Sequence, residues 1–431
     1  MQATENGVID QHLIDPEICI RCNTCEATCP VGAITHDDTN YVVNAEICNL
    51  CMACIAPCPT GSIDNWRKIP ISKAYSLQEQ YSWESLPSPL SESELSQIQG
   101  TSEDEAHASH ASPSAITASA SSVATTQSLE IAQSSIQWGS VVPPWSAAHP
   151  YVNLHGAKNP ITATVVGNVQ VNEPGTENET HHVVLDMGHI PFPVLEGQSI
   201  GIIPPGLDAK GKPHHARQYS IASARNGERA GYNNLSLTVK RVTQNPSGQP
   251  FKGLCSNYIC DLKIGDQVNV MGPFGTSFLM PNHPKSNIVM ICTGTGSAPM
   301  RAMTEWRRRL RQSGKFEGGK LMLFFGARTQ AELPYFGPLQ KLPKDFLSTH
   351  FAYSRTPGQP RKYVQDLLRE RSSDLVPLLK DSNTYFYVCG LKSMEVGVIE
   401  ALREIAQNAS LSWDELGANL KKEGRLHLET Y

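Results

Sequence analysis

Short runs of β-branched and apolar residues, separated by Gly, Pro and Asn, mark the middle of this 431-residue chain. ITATVVGNVQV begins at residue 161, HHVVLDM at residue 181 and LSLTVKRV at residue 235. Such runs predict strands, and a series of short strands without intervening helices is typical of an antiparallel barrel or sandwich. We predict an antiparallel β-barrel over residues 155–283.

The pattern changes after Met280-Pro281. The apolar runs NIVMICTG, LMLFFGAR, HFAYSR and TYFYVCG predict four buried strands, and APMRAMTEWRRRLRQS after the first of them predicts a helix. Buried strands that alternate with helices indicate an open, mostly parallel α/β sheet. We place this sheet in residues 284–431.

Residues 71–154 have few large apolar side chains and are rich in Ser, Ala, Gln, Glu and Thr, as in HASHASPSAITASASSVATTQS. Such a segment cannot bury enough apolar surface to offset the entropy of folding, so a flexible linker is predicted. The scattered aromatics Trp83, Trp138 and Trp145 could fix its ends to a neighbour. The linker separates residues 1–70 as a domain of their own.

The net charge of −5 gives no sign of the basic face that binding to nucleic acid requires. The amino-terminal MQATENGVIDQH has neither a basic start nor an apolar stretch, and no segment approaches the roughly 20 apolar residues that cross a bilayer. We expect a cytoplasmic protein without a nucleic-acid or membrane partner.

The charge is distributed unevenly along the chain. Residues 1–68 have nine acidic and three basic residues, whereas residues 151–431 have 24 acidic and 32 basic residues. Opposite charges favour transient docking, so the acidic amino-terminal domain is expected to dock on a basic surface of the predicted β-barrel domain. The alternative is that this surface charge serves only solubility.

Eight of the twelve cysteines form two runs of identical spacing, each followed by proline. In the two-cluster ferredoxin pattern, three thiolates of a run bind one 4Fe-4S cluster and the fourth reaches across to the other. The spacing predicts an α+β ferredoxin domain with two such clusters. One would be bound by Cys19, Cys22, Cys25 and Cys58, and the other by Cys48, Cys51, Cys54 and Cys29.

Two other uses of cysteine fit this spacing less well. A structural zinc site is built from two separated Cys-x2-Cys pairs, whereas here a third cysteine follows each pair after two residues. Disulfide frameworks belong to small domains in oxidising compartments. Iron-sulfur clusters are therefore the preferred interpretation.

Two segments have the chemistry that a flavin needs. Arg217, Tyr219 and Ser220 end one strand, and Gly253-Leu254-Cys255-Ser256-Asn257 follows about thirty residues later. They offer a cation for the pyrophosphate, an aromatic face for the ring, and small residues whose backbone N–H groups can approach phosphates.

The first strand of the α/β domain ends in Thr293-Gly294-Thr295-Gly296, directly before the predicted helix. Glycines between a strand and a helix let the backbone close on a pyrophosphate at the helix amino terminus. Ser354 and Arg355 follow a later strand, and Lys362 and Tyr363 lie shortly beyond. A cation with hydroxyl groups suits the 2′-phosphate of NADP(H) better than the 2′-hydroxyl of NAD.

From about residue 155 to the last residue, these motifs resemble those of plant-type ferredoxin-NADP reductases. The resemblance implies that Arg217 binds the FAD pyrophosphate, that Tyr219 and Ser220 lie beside the isoalloxazine, and that residues 255–257 bind the phosphates. One departure is that Thr243-Gln244-Asn245-Pro246 lacks the tyrosine that stacks on the adenine in this family. The adenine half is therefore expected to be held loosely.

The resemblance also assigns the nicotinamide contacts. Val388-Cys389-Gly390-Leu391-Lys392-Ser393-Met394 resembles the segment that brings a cysteine to the nicotinamide, and Glu429-Thr430-Tyr431 resembles the family's carboxyl terminus. Ser220, Cys389 and Glu429 would surround the reacting atoms, with Tyr431 as a gate over the flavin. The full cofactor-binding set expected is Arg217, Tyr219, Ser220, Lys240, Gly253, Leu254, Cys255, Ser256, Asn257, Thr293, Gly294, Thr295, Gly296, Ser354, Arg355, Lys362, Tyr363, Gln365, Gly390, Leu391, Met394 and Tyr431.

The order of domains over the whole chain resembles the reductase components of benzoyl-coenzyme A 2,3-epoxidases. That resemblance implies an enzyme that passes electrons from NADPH through FAD and the clusters to a separate di-iron oxygenase in aerobic benzoate breakdown. Two alternatives stay open: the same route used in reverse to reduce NADP+, and an electron-transfer subunit without its own catalysis.

Overall fold

The computed structural model describes residues 8–90 and 150–431, except residues 22, 56, 57, 59, 246, 316 and 317. These residues form a small amino-terminal unit with two two-stranded sheets, a six-stranded sheet, and a five-stranded sheet. We call the amino-terminal unit the ferredoxin module, after the pattern of its cysteine runs, and the units built on the six-stranded and five-stranded sheets the antiparallel unit and the parallel unit.

The strands in chain order are β1 Val8–Leu13, β2 Ile34–His36, β3 Tyr41–Val43, β4 Asn65–Pro70, β5 Ile161–Gln170, β6 Thr180–Asp186, β7 Ser199–Ile203, β8 Arg217–Ser220, β9 Asn234–Lys240, β10 Gln267–Phe274, β11 Asn287–Thr293, β12 Leu321–Ala327, β13 Leu347–Tyr353, β14 Thr384–Gly390 and β15 Leu426–Thr430. The α-helices are α1 Thr24–Thr28, α2 Leu77–Ser82, α3 Leu254–Asp261, α4 Ser297–Gln312, α5 Phe336–Lys341, α6 Val364–Glu370, α7 Ser372–Lys380, α8 Lys392–Asn408 and α9 Trp413–Lys422. In the part of the chain with described structure, no helix is both long enough and apolar enough to span a membrane.

In the ferredoxin module each cysteine run follows a strand: the first comes after β1 and the second after β3. Strand β1 pairs antiparallel with β4, and β2 pairs antiparallel with β3. The core consists of cysteines packed with a few large apolar residues, including Ile14, Tyr41 and Ile63. So small a core suits a domain that is held together partly by bound clusters.

The first part of the predicted linker, residues 71–84, is ordered and packs on this module. Helix α2 begins with a capping box between Ser76 and Glu79. The buried Gln80 donates to the carbonyl of Val43 and accepts from its N–H, and Asn40 donates to the carbonyls of residues 80, 81 and 83. The prediction of a flexible linker from residue 71 is therefore wrong for this part, because a few hydrogen bonds to buried side chains replace the missing apolar residues.

The far end of that segment also has defined contacts. The N–H of Asn153 donates to the carbonyl of Pro273, and Gln198 donates to the carbonyl of Tyr151. Residues 91–149, with Trp138 and Trp145, lie outside the described residues.

The antiparallel unit contains the three strands predicted from its β-branched runs, which are β5, β6 and β9. The strand order is β8-β7-β10-β5-β6-β9, and every pairing is antiparallel. An isolated bridge between Ile221 and Leu237 connects the segment after β8 to β9 at the opposite edge. Helix α3 packs on the apolar core of this sheet through Cys255, Ile259 and Cys260.

The parallel unit has strand order β13-β12-β11-β14-β15, with all pairings parallel. The four apolar runs correspond to β11–β14, and α4 follows β11 as predicted. Each face of the sheet is covered by its own apolar cluster. Strand β15 was not among the four predicted strands. It pairs with β14 and brings Glu429 opposite Cys389.

A buried ionic network joins the antiparallel and parallel units. Arg301 of α4 binds the Glu228 carboxylate through two hydrogen bonds of 2.7 and 2.8 Å and also donates to the carbonyl of Ala222. Burial opposes ionisation of Glu228, but Arg301 holds its pKa well below the usual range. On the other side, the Tyr335 hydroxyl lies 2.8 Å from both His182 and Thr238. The network fixes the two units relative to each other.

Candidate nucleotide, flavin and iron-sulfur sites

The glycine turn after β11 lies where two strand ends approach each other closely. A Cβ on Gly296 would come within 2.2 Å of the Cys389 carbonyl oxygen, and one on Gly390 would lie 2.4 Å from Thr293 Oγ1. Gly390 also has φ +147° and Gly294 has φ +54°, conformations that side chains disfavour. The 16-residue helix α4 starts at once after the turn, so its free N–H groups face the gap between β11 and β14.

Three buried oxygens around this turn have no hydrogen-bond partner among the described residues: Thr293 Oγ1, Ser297 Oγ and Glu429 Oε2. Burial raises the pKa of Glu429 to about 7, and burial followed by the nearby Glu429 raises the pKa of the Cys389 thiol. Unsatisfied buried polar groups in a native fold call for a ligand, water or catalytic role. Their grouping at the carboxyl ends of β11, β14 and β15 fits the nicotinamide contact expected there.

Tyr431 is fastened to the same turn but stays 65% exposed. Its hydroxyl lies 2.9 Å from Thr295 Oγ1, its N–H donates to the Gly390 carbonyl, and its carbonyl accepts from Lys392 N–H. Leu391 is also exposed, whereas Met394 is buried below Gly390. The backbone of Tyr431 is thus held by hydrogen bonds while its ring stays exposed, as its predicted role as a gate requires.

The predicted catalytic residues come from both units. Cys389, Glu429 and Tyr431 lie together on neighbouring strand ends, whereas Ser220 lies at the end of β8, opposite Ser199. No hydrogen bond within the described ranges joins Ser220 to the other three residues. A ligand between the units would have to bridge them.

On the flavin side, β8 presents residues 217–220 at the sheet edge, with Arg217 exposed and Tyr219 half-buried. Tyr219 packs against the core near Cys255, and burial, together with Cys255, raises the pKa of the tyrosine hydroxyl. The ring is thus held as a neutral, rigid surface beside an exposed cation. These are properties that suit a flat aromatic cofactor with a pyrophosphate tail.

The segment of residues 253–257 forms the start of α3. A Cβ on Gly253 would lie 2.8 Å from the Val242 side chain, so only glycine fits. Ser256 Oγ accepts from Val242 N–H, and Asn257 Nδ2 donates to the carbonyls of Val242 and Gly253. Because these two side chains bind the backbone, phosphates at this helix start would meet backbone N–H groups, beside Cys255 and the exposed Leu254.

Phe251, an aromatic residue in the loop where the adenine contact is expected, was not predicted as a site residue. The loop from Thr243 folds back so that Phe251 N–H donates to the Thr243 carbonyl, and the Phe251 side chain is 54% exposed. The signal available was its position two residues before Gly253. Phe251 can offer the stacking surface that Thr243-Gln244-Asn245 lacks.

The edge of the parallel unit holds the residues expected at the 2′-phosphate. Ser354 N–H donates to the Ala327 carbonyl and Arg355 N–H to the Arg328 carbonyl, so the loops after β12 and β13 lie side by side. Arg328, which the sequence interpretation omitted, adds a second cation. Both guanidinium groups face Glu177, at 2.6 Å from Arg328 and 3.8 Å from Arg355.

The other residues predicted near this edge differ in their surroundings. Lys362 pairs with Glu370 at 2.7 Å, and Tyr363 is the exposed N-cap residue of α6. Gln365 packs against Gly397 of α8, so its side chain supports the helix pair. Lys240 of the antiparallel unit is half-buried, and burial together with Arg328 lowers its pKa; it therefore lies close to this cationic edge.

The ferredoxin module contains two cavities that match the predicted cluster ligands. One is lined by Cys29, Cys48, Cys51 and Cys54, and the other by Cys19, Cys25 and Cys58. Cys22, the predicted fourth ligand of the second set, lies outside the described residues. The exchange of Cys29 and Cys58 between the runs is the crossing that two cubane clusters need. We name the Cys19 cavity the inner cluster site and the Cys48 cavity the outer cluster site.

The module contacts the antiparallel and parallel units beside the inner cluster site. Arg308 of α4 is buried, and its guanidinium lies 3.5 Å from the carboxylates of both Asp15 and Glu17. Arg229 lies 2.5 Å from Asp64. A cavity next to these pairs is lined by Ile18 and Ile20 of the module and by Ser297 and Arg301 of α4. Acidic residues of the module therefore face basic ones, but most of this contact is on the parallel unit and not on the flavin side alone.

Comparison with known proteins agrees with this order of domains. The family described as "4Fe-4S dicluster domain" matches residues 18–62, and the family described as "Oxidoreductase NAD-binding domain" matches residues 290–399. The chain is 40% identical over 291 residues to the cyanelle ferredoxin-NADP reductase of Cyanophora paradoxa, covering 65% of this chain and 79% of that protein. It is 37% identical over 289 residues to leaf isozyme 1 of the chloroplastic ferredoxin-NADP reductase of Arabidopsis thaliana, with the same two coverages.

Solved structures give the same result. The ferredoxin-NADP+ reductase of Plasmodium falciparum is similar at 27% sequence identity with a TM-score of 0.53, over 65% of this chain and all of that one. The fold and site thus define an NADPH-dependent flavoprotein oxidoreductase. The chain belongs to the ferredoxin-NADP reductase family, and it carries a 4Fe-4S dicluster ferredoxin domain ahead of the reductase.

Proposed function

We propose that this reductase takes electrons from NADPH and passes them through FAD and two 4Fe-4S clusters to a separate protein. The observation that supports this most directly is the position of the inner cluster site. Ile18 and Ile20, which flank Cys19, share a cavity with Ser297, the residue that follows the nucleotide-binding turn. A cluster there would lie between the nucleotide-binding units and the outer cluster.

The residues at the nicotinamide end would orient the substrate and exclude water. Within the described part of the chain, Thr293 Oγ1, Ser297 Oγ and Glu429 Oε2 lack hydrogen-bond partners, so they are available to the nicotinamide amide and to the neighbouring cofactor. With its pKa near 7, the Glu429 carboxyl can hold a proton at neutral pH and donate a hydrogen bond. Tyr431 must leave its Thr295 contact for the nicotinamide to enter.

At the flavin end, β8 and α3 would hold the cofactor at its two extremes. When bound, FAD accepts two electrons together from a nicotinamide and releases them one at a time. Arg217 and the N–H groups at the start of α3 would bind the pyrophosphate, Tyr219 and Ser220 would contact the ring, and Phe251 would cover the adenine. The division of the chain into residues 1–70, 71–154, 155–283 and 284–431 is part of this proposal, with the ordered residues 71–84 joined to the first domain.

The acceptor that we propose is a di-iron oxygenase of the benzoyl-coenzyme A 2,3-epoxidase type. The support is the order of the domains, since a two-cluster ferredoxin precedes the reductase, together with an outer cluster site that faces solvent. An acceptor outside the chain needs such an exit. The same construction would also serve reverse electron flow toward NADP+, so the direction must be measured.

A stopped-flow experiment tests the electron route. Anaerobically purified protein should contain about eight irons and eight sulfides per chain, four for each cubane. Mixing with NADPH should bleach the flavin band first and the cluster absorbance afterwards. Stoichiometric zinc without sulfide, or flavin reduction that never reaches the clusters, would contradict the proposal.

The acceptor is tested by capture from cells that grow on benzoate, followed by reconstitution with the purified partner. We expect an oxygenase subunit whose turnover depends on NADPH and on this reductase. Cells that grow on succinate provide the control. Capture of a low-potential electron donor, with faster NADP+ reduction than NADPH oxidation, would favour the reverse direction.

A further inference from the structure

The two halves of the ferredoxin module repeat the same backbone at an offset of 29 residues. Glu17 N–H donates to Asp15 Oδ1 at 2.9 Å, and Glu46 N–H donates to Asn44 Oδ1 at the same distance. Cys19 N–H and Cys48 N–H each donate to the carbonyl four residues earlier. The left-handed residues Arg21, Asn23 and Gly32 match Leu50, Met52 and Gly61. The cluster loops thus display two equivalent faces, each beginning with the sequence Glu-Ile-Cys.

The first face is covered by the reductase. Glu17 is buried against Arg308, and Ile18 lines the cavity that the module shares with α4. Asp15, next to them, contacts the same arginine. The contact therefore combines a cation opposite the glutamate with apolar packing over the isoleucine.

The second face is open. Ile47 is 48% exposed and Met52 is 60% exposed, and Glu46 is exposed with no ion pair among the described residues. Val31 and Met52 line the outer cluster site beside the exposed Cys51. A rim of large apolar side chains around a redox site, in a module whose charge is otherwise acidic, marks a protein contact.

We propose that Glu46, Ile47, Met52 and Val31 form the docking face for the external electron acceptor, in the same way that Glu17 and Ile18 dock on the reductase. The proposal rests on the proposed function. It orders the route, with the inner cluster on the reductase side and the outer cluster on the acceptor side. The expected occupant is a redox protein with an apolar patch over its cofactor and a lysine or arginine that reaches Glu46.

The charges of the module support this choice of occupant. Asp15, Glu17 and Asp64 already contact arginines of the reductase, so these three carboxylates are engaged in the internal contact. Asp10 and Glu46, beside the outer cluster loop, remain exposed to solvent. An acceptor with a basic rim would meet them without competing for the reductase contact.

The test uses the full-length protein and cytochrome c, a lysine-rich one-electron acceptor, as the probe. The clusters are reduced anaerobically with dithionite, the excess is removed, and their reoxidation by cytochrome c is followed in a stopped-flow instrument. Because the clusters are filled without NADPH, failure of the docking proposal stays separate from failure of the NADPH route. The variants are Glu46→Lys and Ile47→Ser, and Asp38→Lys is the matched charge reversal at an exposed acid beside the first cysteine run.

Glu46→Lys should lower the second-order rate constant at least about fivefold at low salt, since an exposed charge pair at contact is worth about a factor of this size. The effect should fade toward 1 M salt, where the Debye length is about 3 Å. Ile47→Ser should lower the rate at all salt concentrations, and Asp38→Lys should change it less than twofold. Iron content and reduction of ferricyanide by NADPH should stay unchanged in all three.

Two outcomes would overturn the proposal. Equal slowing by Asp38→Lys and Glu46→Lys would mean that only the net charge matters. Unchanged rates in Glu46→Lys and Ile47→Ser, with intact clusters, would mean that electrons leave elsewhere.

Discussion

Replacement of Arg308 by Met should release the ferredoxin module from the reductase. Arg308 is 3% exposed, and its guanidinium contacts Asp15, Glu17 and Glu305 at 3.1 to 3.5 Å. Methionine keeps the apolar stem but removes the cation. Three buried carboxylates would then face one another without a counter-charge.

The size of the effect follows from the cost of a broken buried ion pair. Removal of one partner costs about 3–5 kcal/mol because the other charge stays buried. The carboxylates can escape this cost by leaving the interface for water. The penalty therefore appears as undocking, with a shift of the docking equilibrium of about 10²- to 4 × 10³-fold, at 1.4 kcal/mol per factor of ten.

Stopped-flow absorbance with NADPH measures the consequence. Flavin reduction should keep its wild-type rate, because Arg308 does not touch the nucleotide turn, whereas cluster bleaching should slow in proportion to the docked fraction. Small-angle X-ray scattering should show a larger radius of gyration. Arg311→Met is the control on the same helix: Arg311 pairs with the exposed Asp345, and pairs of that kind contribute about 0–1 kcal/mol.

The reasoning would be refuted if Arg308→Met bleached its clusters at the wild-type rate with an unchanged radius of gyration. Slowing of flavin reduction to the same degree would instead indicate damage to α4. Adding Asp15→Asn and Glu17→Gln to Arg308→Met should restore much of the docking, because the unpaired charges are then gone.

Four further substitutions test the nucleotide site. Gly296→Ala should abolish NADPH binding, seen by equilibrium titration, while FAD stays bound, because the added Cβ would overlap the Cys389 carbonyl; unchanged affinity would mean that the turn does not contact the nucleotide. Arg355→Ala should weaken the binding of NADPH by about 1.5–3 kcal/mol, the range for a hydrogen bond to a charged group, and leave the binding of NADH nearly unchanged. Arg328→Ala should have the same effect. Equal losses of NADPH and NADH binding would indicate a structural role. Glu429→Gln should raise the free energy of unfolding by up to about 3 kcal/mol at pH 8 and change it little near pH 5. The pKa of the Glu429 carboxyl is about 7 in the folded state, against an ordinary value of 4.5, so the folded protein loses stability as pH rises from about 4.5 to 7 and Gln removes this loss. The same effect at both pH values would contradict this titration.

The cysteine spacing and the apolar runs were enough to predict most of the local structure. Each cysteine run follows a strand, and the runs at 287–294 and 384–390 form adjacent parallel strands because continuous apolar sequences can be buried on both faces. The glycine turn was also predictable, because a glycine between a strand and a helix indicates close backbone approach. The polar segment after residue 70 was misread, because its order depends on two side chains, Asn40 and Gln80, that composition does not weigh.

Sequence alone was thus enough to predict a chemistry for each part: cysteines for clusters, glycines for a nucleotide turn, and cations for a phosphate. The tertiary structure decided which parts meet. Only the fold brought Glu429 opposite Cys389, Arg328 beside Arg355, and Arg308 against Asp15, which is 293 residues away in sequence. Local spacing fixes residue type and short-range geometry, whereas contacts between distant segments depend on how whole surfaces pack, and packing is a property of the folded chain.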